Sequence, residues 1–361
     1  MEQHNTLTGM LDLMTDPAFC VKGGTVTYAN RPALACMLTE GTPVSQILFT
    51  GAEEYAQFQG GCLYLTLNIC NTYRGATVTR MGESDVFVME SSDDLAILQG
   101  LALAAQELRL PLANVMTVTD RLFPQLEATA NTDTEEQMAR INKGLFQLLR
   151  IVSNMSDAIQ YSQPSSTGQE VVNICDHLGE LFDAYIALAQ EAGITLRFRN
   201  LNTPVYTTVN MDKLQRAISN ILSNAMKFIP KEGVIDAQLS RRGNMLHLTI
   251  QDSGSCVPEN LRGSIFSRYQ RQPQIEDSRN GIGLGMVLLR GVAAMHGGTV
   301  LLEYPKDSGP RVTLTLAIRP KTDTIVQSPT FRVDYAGERD HRLLELSDVL
   351  PHTLYKPNKI N

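Results

Sequence analysis

The clearest hydrophobic pattern in this 361-residue chain covers two segments between residues 93 and 163. Apolar residues there recur at alternating spacings of three and four, which predicts two long helices, each with one apolar seam. The seam positions are Leu98, Leu101, Ala105, Leu108, Leu112, Val115, Thr119 and Leu122, then Met138, Ile141, Leu145, Leu148, Val152, Met155 and Ile159. Pro124 is predicted to end the first helix, and the polar residues 131–134 supply a turn and a cap before the second.

Two such helices form an antiparallel hairpin, and a lone hairpin cannot bury both seams. We therefore expect residues 93–163 to pair with a second chain as a four-helix bundle with a two-fold axis, in a homodimer or heterodimer. The alternative is an intramolecular coiled coil against another domain. It is less favoured because no third helix of comparable pattern exists in the sequence.

The pattern of residues 1–92 predicts a small α/β unit that resembles a sensor domain. LTGMLDLM predicts a short helix, and FCVKGGTVTYAN predicts two strands around a Lys-Gly-Gly turn. RPALACML is helical, and the β-rich runs LYLTLNICNTY, ATVTRMG and DVFVMES predict an antiparallel sheet. This order of elements resembles a PAS domain, without a residue signature for bound flavin or haem. A small α+β packing domain is the alternative.

After a predicted linker at 164–170, residues 171–320 alternate helical and strand patterns. They predict helices on one face of a mixed sheet, which is an α/β sandwich. Residues 321–361 form a tail with a predicted strand, TFRVDYAG, and a short amphipathic helix, HRLLELSDVL, docked on the preceding domain. The fold class is thus multidomain α+β.

Composition and charge indicate which partners the chain could bind and in which compartment it would act. The net charge of −7 gives no basic excess, so no nucleic-acid partner is expected. The acidic N-terminus is not a signal peptide, and no apolar run suffices for a membrane span. We expect a cytoplasmic protein. The six cysteines form no CxxC pair, and reduced thiols are expected.

Two motifs in the third unit carry polar groups at informative spacing. Asn220, Asn224 and Lys227 recur at helical spacing, so they lie along one face of a helix. Amide oxygens are suitable Mg²⁺ ligands, and a lysine can meet phosphate. Asp252, two residues before Gly254, ends a predicted strand; its carboxylate can accept a hydrogen bond from an adenine amino group, and the glycine lets backbone approach the base.

The third motif is Gly281-Ile282-Gly283-Leu284-Gly285, which is followed at once by a predicted helix. Glycines let a loop wrap phosphates, and a helix N-terminus favours their charge. A Rossmann site is excluded because no strand immediately precedes the glycines and no βαβ unit follows. Each motif alone is compatible with an ordinary helix face, turn or loop. Their occurrence together predicts one nucleotide site.

The three stretches DKLQRAISNILSNAMKFIP (212–230), QDSGSCVPENLRGSIFSRY (251–269) and GIGLGMVLLRGVAAMHGG (281–298) are similar to the catalytic, ATP-binding domain of two-component sensor histidine kinases. That domain belongs with the ATPases shared with gyrase and Hsp90. The resemblance covers residues 95–320. It implies that residues 93–163 form the dimerisation and phosphotransfer domain and that the partner is a response regulator.

The resemblance also implies roles for individual residues. Asn224 would hold Mg²⁺, Lys227 would reach the phosphates of ATP, and Asp252 would bind adenine. Gly283 and Gly285 would shape the hinge of a mobile lid. That lid would comprise residues 254–281.

The chain departs from the family in the phosphotransfer stretch. Where the family has His-Glu-x-Arg-Thr-Pro-Leu, this chain has QELRLPL at 106–112. Gln106 replaces the phosphoacceptor histidine, and resonance removes the lone pair of a carboxamide nitrogen, so it is not a nucleophile. Leu110 replaces a threonine hydroxyl, and Glu107, the general-base position, has nothing to deprotonate. None of the six histidines lies between 93 and 163.

The seam places Gln106, Glu107 and Arg109 on the exposed flank of the helix, and Pro111 is expected to loosen the helix near Glu107. Two further departures lie in the ATP-binding region. Cys256 stands where the family usually has a second glycine, and 310–311 carries Pro-Arg in place of Gly-Thr.

Three functions follow from these observations. The first is a signalling protein of histidine-kinase architecture that binds Mg–ATP but cannot autophosphorylate at the usual site. The second is an active histidine kinase that phosphorylates a partner's histidine, or a slow ATPase. The third is an interaction scaffold with a degenerate ATP pocket.

Overall fold

The computed structural model describes residues 2–90, 93–127, 131–162, 168–230, 232–254, 284–305, 308–319 and 339–360. The first unit contains α1 (Glu2–Asp12), β1 (Ala18–Lys22), β2 (Thr25–Ala29), α2 (Arg31–Ala35), α3 (Val44–Ile47), α4 (Ala52–Ala56), β3 (Cys62–Ile69), β4 (Thr72–Met81) and β5 (Ser84–Met89). Its strands pair antiparallel in the order β2-β1-β5-β4-β3. The core of the unit includes Phe19, Leu65 and Phe87, all fully buried.

The β-rich run at 63–73 includes most of β3, a turn and the first residues of β4. Cys70 and Asn71 have φ values of 49° and 65°. Two consecutive residues with positive φ match the right-handed twist of a tight two-residue hairpin, so the chain reverses there. The predicted helix at 31–38 is also shorter, because it ends at Ala35 and Met37 has a φ of 63°.

The two long helices are α5 (Asp93–Glu127) and α6 (Thr132–Ser162), which pack against each other. The prediction that Pro124 ends the first helix is wrong, because the helix continues to Glu127. A proline in the last turn removes only one backbone hydrogen bond, so the helix can continue past Pro124 for one more turn.

The predicted seam is buried at only part of its positions. Leu98, Ala105, Met138, Leu145, Val152 and Met155 are buried, whereas Leu108, Val115, Leu122, Ile141 and Leu148 are exposed. Met116 and Phe123, outside the predicted seam, are buried as well. The single chain thus covers one side of the hairpin and leaves an apolar strip open on the other.

The third unit contains β6 (Glu170–Asn173), α7 (Ile174–Glu191), β7 (Thr195–Arg199), β8 (Tyr206–Val209), α8 (Met211–Phe228), β9 (Val234–Arg242), β10 (Met245–Asp252), α9 (Gly285–Met295), β11 (Val300–Glu303) and β12 (Arg311–Ala317). Its main sheet has the order β7-β9-β10-β12-β11, with β7 parallel to β9 and the other pairs antiparallel. The predicted mixed α/β architecture is confirmed. Glu170, predicted to belong to a linker, instead begins β6 and pairs with Val209.

The sheets of the first and third units are joined edge to edge. Strand β3 pairs antiparallel with β11, and Tyr64 lies opposite Val300. Gly61 makes this approach possible, because it has a φ of 89° and a methyl group in its place would lie 2.1 Å from the Leu302 carbonyl oxygen. We call residues 61–64 and 300–302 the sheet junction. The result is one ten-stranded sheet.

The chain ends in α10 (His341–Glu345), a 3₁₀ helix (His352–Tyr355) and α11 (Pro357–Ile360). We call residues 339–360 the C-terminal segment. The helix predicted over 341–350 stops at Glu345, and Asp348 beyond it turns toward basic side chains of α6 and α8. The predicted strand at 330–337 lies outside the described residues. Among the described helices, none is both long enough and apolar enough to cross a membrane.

Candidate functional site

Helix α8 presents the first motif. Asn210 caps its start, because the Asn210 side chain accepts a hydrogen bond from the Lys213 amide at 3.0 Å. The apolar face of α8 is buried in the core of the third unit. Of the three motif residues, Asn220 is buried and its amide donates to the Arg216 carbonyl at 3.0 Å. Asn224 is exposed to solvent, and Lys227 is half-buried.

The second motif closes onto the end of α8. The Gly254 amide donates to Asp252 Oδ1 at 2.8 Å. Burial raises the pKa of Asp252, and this hydrogen bond partly opposes the shift. A methyl group on Gly254 would lie 2.8 Å from the Phe228 carbonyl oxygen, so only glycine allows β10 and α8 to approach this closely.

Gly309 belongs to the same corner, although the sequence did not indicate it. A methyl group there would lie 2.2 Å from the Asp252 carbonyl oxygen and 2.8 Å from that of Gly254. The residue before Pro310 therefore packs directly on the end of β10. The only signal in the sequence was that a glycine stands next to the altered Pro-Arg dipeptide. Gly309 is too far from Asp252 along the chain for the sequence to place the two residues together.

Helix α9 brings the third motif to α8. Gly285 begins α9, and a methyl group in its place would lie 3.0 Å from Asn220 Oδ1. The structure therefore places Gly285 beside the middle of α8, and the C-terminal end of α8 lies against Gly254. Gly281, Gly283 and Cys256 lie outside the described residues, as does the predicted lid apart from Gly254.

The start of α9 also packs on the helical hairpin. Leu284 and Val287 are buried in one cluster with Leu98 and Ala105 of α5 and with Val152 and Met155 of α6. Ala105 directly precedes Gln106, and Gln106 and Glu107 are exposed. Arg109, predicted to be exposed, is half-buried, because its guanidinium donates to the Ser156 hydroxyl of α6. The altered phosphotransfer stretch thus lies beside the helix that follows the glycine motif.

Charged side chains connect α6, α8 and the C-terminal segment. Lys227 Nζ lies 2.8 Å from Asp348 Oδ2, and the guanidinium of Arg150 pairs with the same carboxylate. Arg216 pairs with Asp157 of α6 and, at 3.0 Å, with Glu345. We call Arg150, Asp157, Arg216, Lys227, Glu345 and Asp348 the charged junction. The sequence did not predict it, because its members come from three distant segments.

The geometry fits a nucleotide. An exposed amide oxygen on Asn224, the ammonium group of Lys227 and the Asp252 carboxylate lie on the two elements that meet at Phe228. They are a hard oxygen ligand for a divalent cation, a cation for phosphate and an acceptor for an exocyclic amine. The glycines at 254 and 309 keep the backbone around Asp252 free of side chains.

His296 stabilises the frame of this site. It is buried, its Nε2 accepts from the Asn210 amide at 3.0 Å, and its Nδ1 donates to the Val292 carbonyl at 2.8 Å. Burial lowers its pKa from 6.5 to about 4. The neutral ring therefore ties the end of α9 to the cap of α8. A methyl group on Gly298 would lie 1.7 Å from the Thr315 carbonyl oxygen, which explains one of the glycines of His-Gly-Gly.

Known proteins match the segment of the chain that contains these motifs. Residues 210–320 match the family described as histidine kinase-, DNA gyrase B- and HSP90-like ATPase. The chain is 28% identical over 254 residues to a hybrid signal transduction histidine kinase D of Dictyostelium discoideum, covering 68% of this chain and 16% of that protein. It is 26% identical over 343 residues to an uncharacterized sensor-like histidine kinase of Rhizobium meliloti, covering 91% of this chain and 62% of that one.

Among solved structures, full-length ShkA in complex with AMPPNP matches 62% of this chain and 47% of its own, with 21% identity and a TM-score of 0.49. The chain spans less than two thirds of the length of each of these relatives. The chain is thus similar to histidine kinases over most of its length, and residues 210–320 are similar to the ATPase family.

Proposed function

We propose that this chain is a signalling protein of the sensor histidine kinase family that binds Mg–ATP and has no phosphoacceptor of its own at position 106. One observation carries the proposal. Three motifs that are far apart in sequence converge on α8, where Gly254 abuts Phe228 and Gly285 abuts Asn220. The matched ATPase family covers the same residues.

In this proposal Asn224 holds Mg²⁺, Lys227 contacts phosphate and Asp252 accepts from the adenine amino group. Gly254 lets backbone approach the base, and Gly281, Gly283 and Gly285 let their loop wrap the phosphates. Mg–ATP, when bound, supplies a phosphoryl group for transfer. Gln106 cannot accept it, because a carboxamide nitrogen has no available lone pair. Glu107 is exposed beside it without a nucleophile to activate.

The remaining parts of the proposal concern assembly. The apolar strip that α5 and α6 leave exposed, including Leu108, Val115 and Ile141, is what a second chain would cover in a four-helix bundle. The hairpin, short helices and antiparallel sheet of the first unit support a PAS-like sensor. A response regulator is the partner that the family implies.

The first arm of the test measures nucleotide binding. The chain is titrated with a fluorescent ATP analogue in the presence and absence of Mg²⁺, and Asn224→Ala is compared with Gln190→Ala on the exposed face of α7. We expect saturable, Mg-dependent binding that Asn224→Ala weakens at least about tenfold, because one metal ligand is lost. Gln190→Ala should bind like the wild type. Absence of Mg-dependent binding would overturn the proposal.

The second arm measures phosphorylation. The wild-type chain and Gln106→His are incubated with labelled ATP, and acid-labile label is followed. The wild type should remain unlabelled, and Gln106→His should gain label if only the acceptor was lost. Label on the wild-type chain would contradict the loss of the acceptor. Label on an added partner chain would instead support a kinase that acts in trans.

A further inference from the structure

The C-terminal segment follows one face of α6 over most of its length. The Asn142 amide donates to the Tyr355 carbonyl at 3.0 Å, and Lys143 Nζ donates to the Leu350 carbonyl at 2.7 Å. One helical turn later Phe146 meets the Tyr355 ring edge to face, with centroids 5.2 Å apart. Side chains three and four residues apart on α6 thus contact backbone carbonyls and one ring of the segment. These contacts fix the register of the segment on the helix.

Apolar burial holds the same segment in place. Leu343, Leu344, Leu346, Leu350, Leu354 and Tyr355 are all buried in the core cluster of the third unit. Six apolar side chains buried together indicate a specific docked state rather than a loosely attached tail. The segment is therefore part of the folded unit in this structure.

The position of Asp348 connects this docking to the nucleotide site. Its carboxylate accepts from Lys227 of α8, from Arg150 of α6 and, at 3.3 Å, from the Gln147 amide. Arg150 is buried and also donates to the Glu345 carbonyl at 2.8 Å and to the Ser223 hydroxyl at 3.3 Å. An anionic group of the chain itself is thus ion-paired with the lysine that the proposed function assigns to ATP phosphate.

We infer that the C-terminal segment is a built-in competitor of nucleotide, in which the Asp348 carboxylate holds Lys227 in place of an ATP phosphate. This inference rests on the proposed function of the α8 site. Lys227 must exchange Asp348 for phosphate when Mg–ATP binds. By linkage, nucleotide loosens the segment from α8, and the docked segment weakens nucleotide binding by the same factor.

The exchange of Asp348 for phosphate would also affect the contacts between α8 and the helical hairpin. Asp348 also neutralises Arg150, and Glu345 neutralises Arg216, which in turn pairs with Asp157 of α6. Removing the segment from α8 therefore changes the partners of two arginines that lie between α6 and α8. Nucleotide occupancy would in this way alter how the ATP-binding unit docks on the hairpin, without any phosphoryl transfer.

The test compares the wild-type chain with Asp348→Asn and Asp340→Asn by titration with a fluorescent ATP analogue and Mg²⁺. Asp348→Asn keeps the shape of the side chain and removes the competing charge, so it should tighten binding about five- to thirtyfold, in the range typical of coupled sites. Asp340 is the matched control. It caps α10, and asparagine caps a helix equally well; its pair with Arg342 is partly exposed and contributes little. Asp340→Asn should therefore keep the segment docked and leave the affinity unchanged.

A second measurement uses only the wild-type chain, in case Asp348→Asn does not fold. Saturating analogue with Mg²⁺ should speed amide hydrogen exchange over residues 343–350 by about threefold or more, because their docking is weakened. Wild-type binding with unchanged exchange, or an unchanged or weaker affinity of folded Asp348→Asn, would overturn the inference alone. No binding by any of the chains would overturn the proposed function and, with it, this inference.

Discussion

The third unit is held to its neighbours by two contacts of opposite character. At the sheet junction, backbone groups of β3 and β11 pair, and the requirement on side chains is a glycine at 61. At the charged junction, six ionised side chains connect α6, α8 and the C-terminal segment. Paired main-chain groups have no ligand that competes for them, whereas the anion of an ion pair can be exchanged for another anion. The first contact is suited to fix the unit in place and the second to release it.

The largest expected effect comes from breaking the charged junction at Arg150. Arg150→Met leaves the Asp348 carboxylate with one fewer cation in a buried setting, which is expected to cost about 3–5 kcal/mol in the free energy of unfolding. Urea unfolding followed by circular dichroism measures it. Arg140→Met on the same helix is the matched control.

Arg140 pairs with Glu136 at 2.6 Å, but both side chains are largely exposed, at 66% and 44%. An exposed pair of this kind contributes little to stability, so Arg140→Met should unfold at close to the urea concentration of the wild type. Equal losses in the two variants would show that burial of the charged junction adds nothing. The charged junction would then contribute no more to stability than an exposed ion pair does.

The charged junction also shows where sequence reasoning ends. Asn220, Asn224 and Lys227 were predicted to lie along one helix, and they do, because helical spacing is a local signal. Asp252 and Gly254 were likewise identified from a local motif. Asp348 carries no such signal, since its partners Arg150 and Lys227 lie more than a hundred residues away and only the fold brings them together.

The sheet junction escaped prediction for the same reason. A glycine at 61, within a Gly-Gly pair, is as compatible with a turn as with a close approach to a distant strand. Nothing in the sequence around Gly61 indicates that Leu302 is its neighbour. The hairpin seam was predicted from its spacing, but spacing could not say which half a single chain would bury. That choice depends on the start of α9, where Val287 and Leu284, the residue before the helix, fill one side of the hairpin.

The second largest effect is expected at the sheet junction itself. Gly61→Ala adds a methyl group 2.1 Å from the Leu302 carbonyl oxygen at a left-handed φ, so the strands must separate or the backbone must shift. The free energy of unfolding should fall by about 2–3 kcal/mol. Amide exchange in residues 300–302 should speed up at the same time.

Gly100→Ala provides the control for that substitution. Gly100 is exposed within α5, and a methyl group there would meet nothing within 4 Å. Alanine is favoured over glycine inside a helix, so this variant should gain about 0.5–1 kcal/mol. A Gly61→Ala variant as stable as the wild type would mean that β3 and β11 do not depend on this close approach.

Acid provides the smallest and most selective way to examine the unit that carries both junctions. The pKa of His296 is lowered by burial from 6.5 to about 4, so between these values the unfolded chain binds a proton that the folded chain does not. The stability that depends on neutral His296 is therefore complete above pH 6.5 and is lost as the pH falls toward 4. Acid also weakens ion pairs of carboxylates, so a variant must separate the two sources.

His296→Gln is that variant, with His177→Gln on the exposed face of α7 as its control. For the wild-type chain, lowering the pH from about 7.5 to about 5.5 should cost about 1 kcal/mol through His296, measured from urea midpoints. His296→Gln should be less stable at neutral pH but lose this part of the pH dependence, because no group is left to titrate there. His177→Gln should keep the wild-type dependence. If His296→Gln also keeps it, His296 is not the source of the acid sensitivity, and burial of its neutral ring adds no pH dependence to the contact between α9 and α8.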